Sequence, residues 1–68
     1  MTQNQLVLEH LEKYGRITSR EAYENYGIMR LASRISDLKR QGYKISGEWI
    51  KVATRRGEDA WVKDYKLL

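Results

Sequence analysis

Three glycines divide the first part of the chain into short segments, and this division restricts the fold more than any other sequence feature. Gly15, Gly27 and Gly42 each follow a run in which apolar residues recur every three or four positions. That interval is the period of an α-helix with one buried face, and glycine is common just past a helix end. The sequence therefore predicts three short helices within residues 1–42.

The first predicted helix runs from about Gln3 to Tyr14. Thr2 and Gln5 have the spacing of a capping box, in which each side chain satisfies a backbone N–H of the other residue. The predicted buried stripe of this helix consists of Val7, Leu8, Leu11 and Tyr14. Leu6 lies off the stripe and is expected to be more exposed.

A second capping box, formed by Thr18 and Glu21, places the start of the next helix at Thr18 or Ser19. This helix is short, because Gly27 stops it. The segment ahead of it is expected to be extended, with the side chain of Ile17 pointing inward. Ile17 is therefore a candidate for a short additional β-strand.

The third predicted helix runs from about Met29 to Gln41. Its predicted buried stripe consists of Ile28, Leu31, Ala32, Ile35 and Leu38. Only a tight turn around Gly27 separates it from the second helix. Two helices joined by so short a turn form a helix-turn-helix.

The pattern changes after the third helix, where residues 43–54 are rich in β-branched and aromatic side chains. A turn over residues 55–59 is built around Gly57, and residues 60–67 alternate again. These signals predict a C-terminal β-hairpin, which must pack against the helices because a lone hairpin is barely stable in water. The predicted fold is α+β: a winged helix-turn-helix with three helices and a hairpin wing, formed as a single domain by residues 1–68.

Positive charge is concentrated in the second half of the chain. The formal net charge is +4, yet residues 1–29 hold three basic and four acidic side chains, whereas residues 30–68 hold ten basic and five acidic ones. A localised basic surface favours a polyanionic partner. Double-stranded DNA is the partner that this charge and a helix-turn-helix together predict.

The outward face of the third helix carries the first group of candidate DNA contacts. Arg30, Ser33 and Arg34 lie in its N-terminal half, the part of a recognition helix that meets base edges. Arginine pairs bidentately with guanine, and serine serves several bases. Alternatively, Arg34 pairs with Asp37 or with Glu21 and has a structural role.

Asp37 lies in the middle of this face, where a phosphate would repel it. It either neutralises Arg34 or Arg40 or accepts a hydrogen bond from a cytosine amine. We favour the first interpretation, and we count Arg40 with the recognition helix.

The basic turn of the hairpin carries the second group. Arg55 and Arg56 are predicted to reach phosphates or the minor groove, where arginine favours narrow tracts. Glu58 and Asp59 partly cancel this charge. Contacts with backbone phosphates, which add affinity without sequence information, are expected from Arg20, Lys39, Arg40 and Lys44.

The sequence shows no motif typical of an enzyme or a metal site. It has no cysteine and a single histidine, His10, expected at the flank of the first helix. It also has no glycine-rich phosphate loop and no nucleophile elbow. We therefore expect no catalysis, metal, cofactor or small-molecule ligand. With no long apolar stretch and no leader peptide, we expect a cytoplasmic location in a bacterial host and no membrane contact.

Trp49 and Trp61 allow two interpretations. Exposed tryptophans can stack on single-stranded bases. A chain of 68 residues, however, needs its large aromatic side chains for the core. We therefore expect the two tryptophans to face each other across the hairpin or to pack under it, and we assign Tyr26 and Tyr65 to the core for the same reason.

Several short runs spread over nearly the whole chain carry a family resemblance. They are Ile17-Thr-Ser-Arg-Glu-Ala22, Gly27-Ile28, Arg30-Leu-Ala-Ser-Arg-Ile-Ser-Asp-Leu38, Gly42-Tyr43, Trp49 and Tyr65-Lys-Leu67. With these runs the sequence resembles a family of small phage-associated winged helix-turn-helix proteins. The resemblance implies the winged helix fold and DNA binding. Met29 departs from the pattern, because a serine or threonine cap is more usual there, and it leaves capping of the third helix to the turn.

The predicted function is sequence-specific binding of double-stranded DNA, by a phage or prophage transcriptional regulator or an excisionase-like architectural factor. One module buries only about 600–1,000 Å² on DNA, so we expect a homodimer or an array on adjacent sites. Leu6 and Leu67-Leu68 are candidate self-contacts. The alternative is a small phage protein-binding module that targets a host or phage protein.

Overall fold

The computed structural model describes all 68 residues and contains three helices and three strands. In chain order these are α1 (Gln3–Tyr14), β1 (Arg16–Thr18), α2 (Ser19–Tyr26), α3 (Leu31–Arg40), β2 (Ile45–Ala53) and β3 (Asp59–Leu67). The strands form one antiparallel sheet in the order β1-β3-β2. The α+β class is confirmed, and so is the short strand at Ile17.

Both predicted capping boxes form, and they set the starts of α1 and α2. The backbone N–H of Gln5 donates to the Thr2 hydroxyl at 3.2 Å, and the Thr2 N–H donates to the Gln5 side chain at 2.8 Å. The same reciprocal pair joins Thr18 and Glu21, at 3.2 and 3.0 Å. Each box satisfies donors that the first turn of a helix otherwise leaves without partners, so both helices begin where the sequence predicts.

The turn between α2 and α3 depends on Gly27. Its φ of 68° lies in the left-handed region, and its N–H donates back to the last turn of α2. The N–H of Ile28 donates to the Ala22 carbonyl at 3.1 Å, and the Ile28 side chain is fully buried. Glycine enters the left-handed region without the steric cost that a Cβ brings. The chain can therefore change direction directly after α2 and bury Ile28 beneath the turn.

The start of α3 differs from the prediction. The helix begins at Leu31 rather than near Met29, and Arg30 is its N-cap residue, with no side-chain hydrogen bond to the helix. Met29 is 82% exposed. Neither side chain carries the short polar acceptor that caps a helix, so nothing fixes an earlier start.

Nine buried apolar side chains form a single core cluster between the helices and the sheet. They are Val7, Leu11, Ile17, Ala22, Ile28, Leu31, Ile35, Leu38 and Ile45. Leu6, Leu8, Tyr26, Tyr65 and Leu67 are partly buried against this cluster. Tyr26 and Tyr65 therefore lie at the core, as predicted.

Two residues of the predicted stripes are exposed instead. Ala32 is exposed because it lies about 100° around the helix from Leu31, away from the i, i+4, i+7 line of the buried residues. Tyr14 is 59% exposed, and its ring packs on His10 with the centroids 4.7 Å apart. His10 itself, expected at a flank, is buried, because Tyr14 and Tyr26 enclose it.

The central strand β3 has one face toward the helices. Ile17 of β1 lies opposite Tyr65, and Ile45 of β2 lies opposite Leu67. Residues directly opposite in an antiparallel pair share a face. These four side chains therefore form the sheet's contribution to the core.

The other face of β3 buries a carboxylate. The side chain of Asp64 is 0% exposed, and one of its oxygens accepts a hydrogen bond from the half-exposed Arg16. The hydrogen bond to Asp64 and the charge of Asp64 raise the pKa of Arg16. This ion pair joins β1 to β3 on the side away from the core.

No helix in the structure combines the length and the apolar composition needed to cross a membrane.

Candidate nucleic-acid interface

The exposed start of α3 presents Arg30. This residue has no ion-pair partner, and its backbone lies at the N-cap rather than inside the helix. The Arg30 carbonyl accepts from the N–H of Ser33 at 3.1 Å, which closes the first turn. The guanidinium is therefore free of the protein's own acidic groups and projects from the end of the helix that follows the turn.

Ser33 and Arg34, one turn further along, are less accessible than Arg30. Both are partly buried. The Arg34 side chain is 32% exposed, and its guanidinium lies 3.3 Å from a carboxylate oxygen of Asp37. Arg34 is thus held along the helix surface by its own helix.

Asp37 is the centre of a small charged cluster on α3. It forms ion pairs with Arg34 and with Arg40, and it accepts a hydrogen bond from the Asn4 side chain at 3.4 Å. Burial alone would raise the pKa of Asp37, but the hydrogen bonds from Arg40 and Asn4 and the charges of both arginines lower it. The favoured interpretation, that Asp37 neutralises an arginine of this face, is confirmed. The pair is with Asp37 and not with Glu21, so that alternative for Arg34 is wrong.

Arg20 is on α2, away from this cluster. Its guanidinium forms an i,i+4 ion pair with Glu24 at 2.9 Å, with both side chains more than half exposed. Exposed pairs of this kind contribute little stability. Arg20 is therefore available at the surface once the weak pair with Glu24 opens.

The wing tip presents two arginines on a short, hydrogen-bonded turn. The N–H of Thr54 donates to the Glu58 carbonyl at 2.8 Å, and Gly57 adopts a φ of 79°. Arg55 and Arg56 are exposed in this turn and form no ion pair. Of the two neighbouring acids, Asp59 pairs with Lys51 at 3.2 Å and not with either arginine, and Glu58 forms no ion pair.

Two lysines flank the end of α3. Lys39 is in its last turn, and Lys44 precedes β2, where its carbonyl accepts from the Leu68 N–H at 2.9 Å. Both side chains are exposed and unpaired. Five of the predicted contacts are therefore exposed cations without an ion-pair partner: Arg30, Lys39, Lys44, Arg55 and Arg56.

The prediction that the two tryptophans are buried in the core is wrong. Trp49 is 61% exposed and Trp61 is 64% exposed, so neither belongs to the core. Strand alternation correctly puts them on the sheet face that also carries Tyr65, but it does not show how far the helices extend along that face. The length of the predicted strands could have shown that the hairpin extends beyond the helices. A strand rises about 3.3 Å per residue and a helix about 1.5 Å, so a nine-residue strand spans more distance than any helix here.

His10 lies in a second region that the sequence did not reveal. Its Nδ1 is 2.8 Å from the Tyr26 hydroxyl, and its Nε2 is 4.0 Å from a Glu21 carboxylate oxygen, beyond hydrogen-bond distance. An open cleft of about 560 Å³ adjoins these residues and Arg16. No group of three or more His, Cys, Asp or Glu side chains is arranged to hold a metal ion.

Three helices that contain a helix-turn-helix, followed by a hairpin with a basic tip, define the winged helix class of DNA-binding domains. The sequence matches the winged helix-turn-helix domain family over residues 2–68, and the chain belongs to that family. Comparison with curated proteins and with solved structures gives no match.

Proposed function

We propose that the protein binds double-stranded DNA in a sequence-specific manner, with α3 in the major groove and the wing tip at the adjacent backbone or minor groove. The observation that carries this proposal is the set of five exposed, unpaired cations on α3, on its flanks and at the wing tip. All four other arginines of the chain form ion pairs with acidic side chains. Cations without a protein partner are the ones that an external phosphate or base can bind at least cost.

The proposed roles differ with accessibility. Arg30 reads a base edge, because it is free and stands at the end of α3 that meets bases in this class of domain. Ser33 adds a second contact, and Arg34 can reach DNA only by leaving Asp37. Arg20, Lys39, Arg40 and Lys44 contact phosphates, which fix the orientation of the protein without reading sequence.

The proposed biological role is transcriptional regulation, or an excisionase-like architectural role, for a phage or prophage in the cytoplasm of a bacterial host. The resemblance in sequence supports the phage context, and the small size supports action as a homodimer or as an array on adjacent sites. A single module buries only about 600–1,000 Å² on DNA.

The test is a salt titration of binding to duplexes selected from a random pool. Phosphate contacts release counterions, so log affinity should fall linearly with log salt, by about 0.9 per neutralised phosphate. A palindromic consensus with half-sites about one helical turn apart would support the dimer. Absence of duplex binding even at low salt overturns the proposal and leaves the protein-binding alternative.

Point variants distinguish residues that contact bases from residues that contact phosphates. Arg30→Ala should weaken binding to the selected site by about 5- to 100-fold and relax its preference at one position. Arg55→Ala and Arg56→Ala should weaken binding evenly across sequences and lower the salt slope by about 1 each. Lys13→Ala, on α1 and outside the proposed interface, is the matched charge control. If Arg30→Ala keeps full sequence preference, the placement of α3 is wrong.

A further inference from the structure

The hairpin extends beyond the helices. Nine-residue strands span about 30 Å, whereas the longest helix, with 12 residues, spans about 18 Å. The molecule accordingly measures 38 Å along its longest axis against 22 and 20 Å along the others. The half of the hairpin nearest the tip therefore has no helix to cover its inner face, the face that carries Tyr65.

Four large side chains occupy this uncovered face in an alternating pattern. Trp49 lies opposite Lys63, and Lys51 lies opposite Trp61. Each tryptophan therefore has a lysine across the ladder and another lysine two residues away along its own strand. The indoles are 61% and 64% exposed, which leaves their rings open to a ligand.

One lysine of this face contacts a tryptophan ring, and the other forms an ion pair. The Lys63 ammonium lies 5.1 Å from the centroid of the Trp49 ring, within the range of a cation–π contact. Gly47 leaves space for this position of Lys63, because a Cβ there would come within 2.6 Å of the Lys63 Cε and the lysine would have to shift. Lys51 forms an exposed ion pair with Asp59 at 3.2 Å. Two lysines against one aspartate give the face a net positive charge.

We propose that this aromatic and basic face of the hairpin binds single-stranded DNA, with unpaired bases stacked on Trp49 and Trp61 and phosphates near Lys51 and Lys63. Every base has a π-face, so aromatic rings in a positively charged surface bind single strands with little sequence preference. The activity goes beyond duplex binding by α3 and uses different residues. With both activities, the protein could bind at a junction between a duplex and a melted or unpaired segment.

A second copy of this chain is a poorer occupant of the same face. A two-fold interface places the same surface on both sides, so it would bring together the lysines of both copies. The available area is also small, because two tryptophans bury about 300–500 Å² in total, against about 800 Å² per partner in a standard stable interface. Charge and area both favour a thin polyanion with exposed bases.

The experiment titrates the protein with fluorescein-labelled oligo(dT) of about 12 nucleotides, within the site sizes typical of single-strand binding folds. Fluorescence anisotropy gives the affinity, and intrinsic tryptophan fluorescence reports stacking. We expect quenching on binding. Trp49→Ala and Trp61→Ala should each weaken binding by about 5- to 100-fold. Trp49→Tyr and Trp61→Tyr should restore most of the affinity, because tyrosine keeps an aromatic face.

Two controls isolate the stacking contribution. Tyr23→Ala removes an aromatic side chain that is 60% exposed on α2 and should leave oligo(dT) binding unchanged. The double variant Trp49→Ala/Trp61→Ala should keep its circular dichroism spectrum and its duplex binding, because the tryptophans lie outside the core and outside the proposed duplex contacts.

Three results would overturn the inference. One is oligo(dT) binding without tryptophan quenching, and another is unchanged affinity in the double variant. The third is the absence of oligo(dT) binding by the wild type. If sedimentation then shows a wild-type dimer that the double variant converts to a monomer, the face is assigned to a second copy. Duplex binding is measured separately, so its presence or absence tests the proposed function and not this inference.

Discussion

The helical part of the molecule and its hairpin use apolar side chains for different purposes. Eight of the nine core residues precede β2, and Ile45 alone comes from the hairpin strands. The hairpin instead leaves Trp49 and Trp61, the two largest apolar side chains of the chain, more than half exposed. The difference teaches that stability resides in the helices together with β1 and the base of the sheet, while the outer hairpin is free to bind.

The strongest test of this contrast is a cavity in the helical core. Leu11 is 1% exposed, so Leu11→Ala should lower the free energy of unfolding by about 2–5 kcal/mol through lost burial and the cavity left behind. Domains of this size have little stability to lose, so the variant should be largely unfolded at room temperature. Urea denaturation followed by circular dichroism measures the effect. A well-folded Leu11→Ala variant would contradict the assignment of stability to this core.

The next test concerns the ion pair that joins β1 to β3. Arg16→Met leaves the fully buried Asp64 carboxylate without its cation, whereas Asp64→Asn leaves a half-exposed arginine that can turn to water. Losing the partner of a buried charge is costly. Thermal melts should therefore show a clearly larger drop in Tm for Arg16→Met than for Asp64→Asn. The reverse order would mean that water reaches Asp64.

Helix capping gives a smaller effect and compares the two regions directly. Thr18→Ala removes the side-chain acceptor at the start of α2 and should cost about 1 kcal/mol. Thr54→Ala, at the hairpin turn, is the matched control. Thr54 contributes to that turn through its backbone N–H and carbonyl, which alanine keeps. This change should therefore cost much less. Equal losses in urea denaturation would show that the hairpin turn carries as much stability as the helix start.

The exposed tryptophans should matter little for stability. Trp61→Ala should change the free energy of unfolding by about 0.5 kcal/mol or less, as is usual for surface positions. Trp49→Ala also loses its exposed contact with Lys63 and should cost slightly more. Differential scanning calorimetry measures both. A loss comparable to that of Leu11→Ala would mean that the tryptophans are part of a core after all.

Acid titration gives the smallest expected effect. The pKa of Asp37 is lowered despite burial, through Arg40, Asn4 and Arg34, and the pKa of Glu48 is lowered by a hydrogen bond from Lys66. A carboxyl with a lowered folded pKa contributes stability above its unfolded pKa, about 4, and this is lost as pH falls through the folded pKa.

Asp37→Asn and Glu48→Gln should therefore each reduce the loss of stability below about pH 4, as measured by urea midpoints across pH. Because both carboxyls are partly or largely exposed, the effects should be small and should shrink with added salt. Unchanged acid behaviour in both variants would show that these ion pairs do not couple to folding.

Local signals were sufficient for most of the fold. The capping boxes at Thr2 and Thr18 fixed two helix starts, because the interactions involve residues three positions apart. Gly15 and Gly27 fixed two helix ends, since both adopt left-handed backbone angles. The start of α3 was misplaced because no comparable local signal exists there.

Tertiary features were harder to predict. Alternation showed which face of the hairpin carries Trp49, but its exposure depends on how far the helices reach along the sheet. The candidate cations could likewise be named from the sequence. Their pairing depends on the side chains around Asp37, which brings together Arg34, Arg40 and the distant Asn4.

The central position of β3 has a consequence for how the protein is made. The last strand in the sequence is the one that both others need, since Ile17 is opposite Tyr65 and Ile45 is opposite Leu67. During synthesis, α1, β1, α2 and α3 therefore leave the ribosome with the sheet side of their core still open to water. The pairing of β1 with β3 joins residues far apart in the chain, and the entropy lost in closing such a long loop slows folding. The core therefore closes only after the last residues of β3 are available.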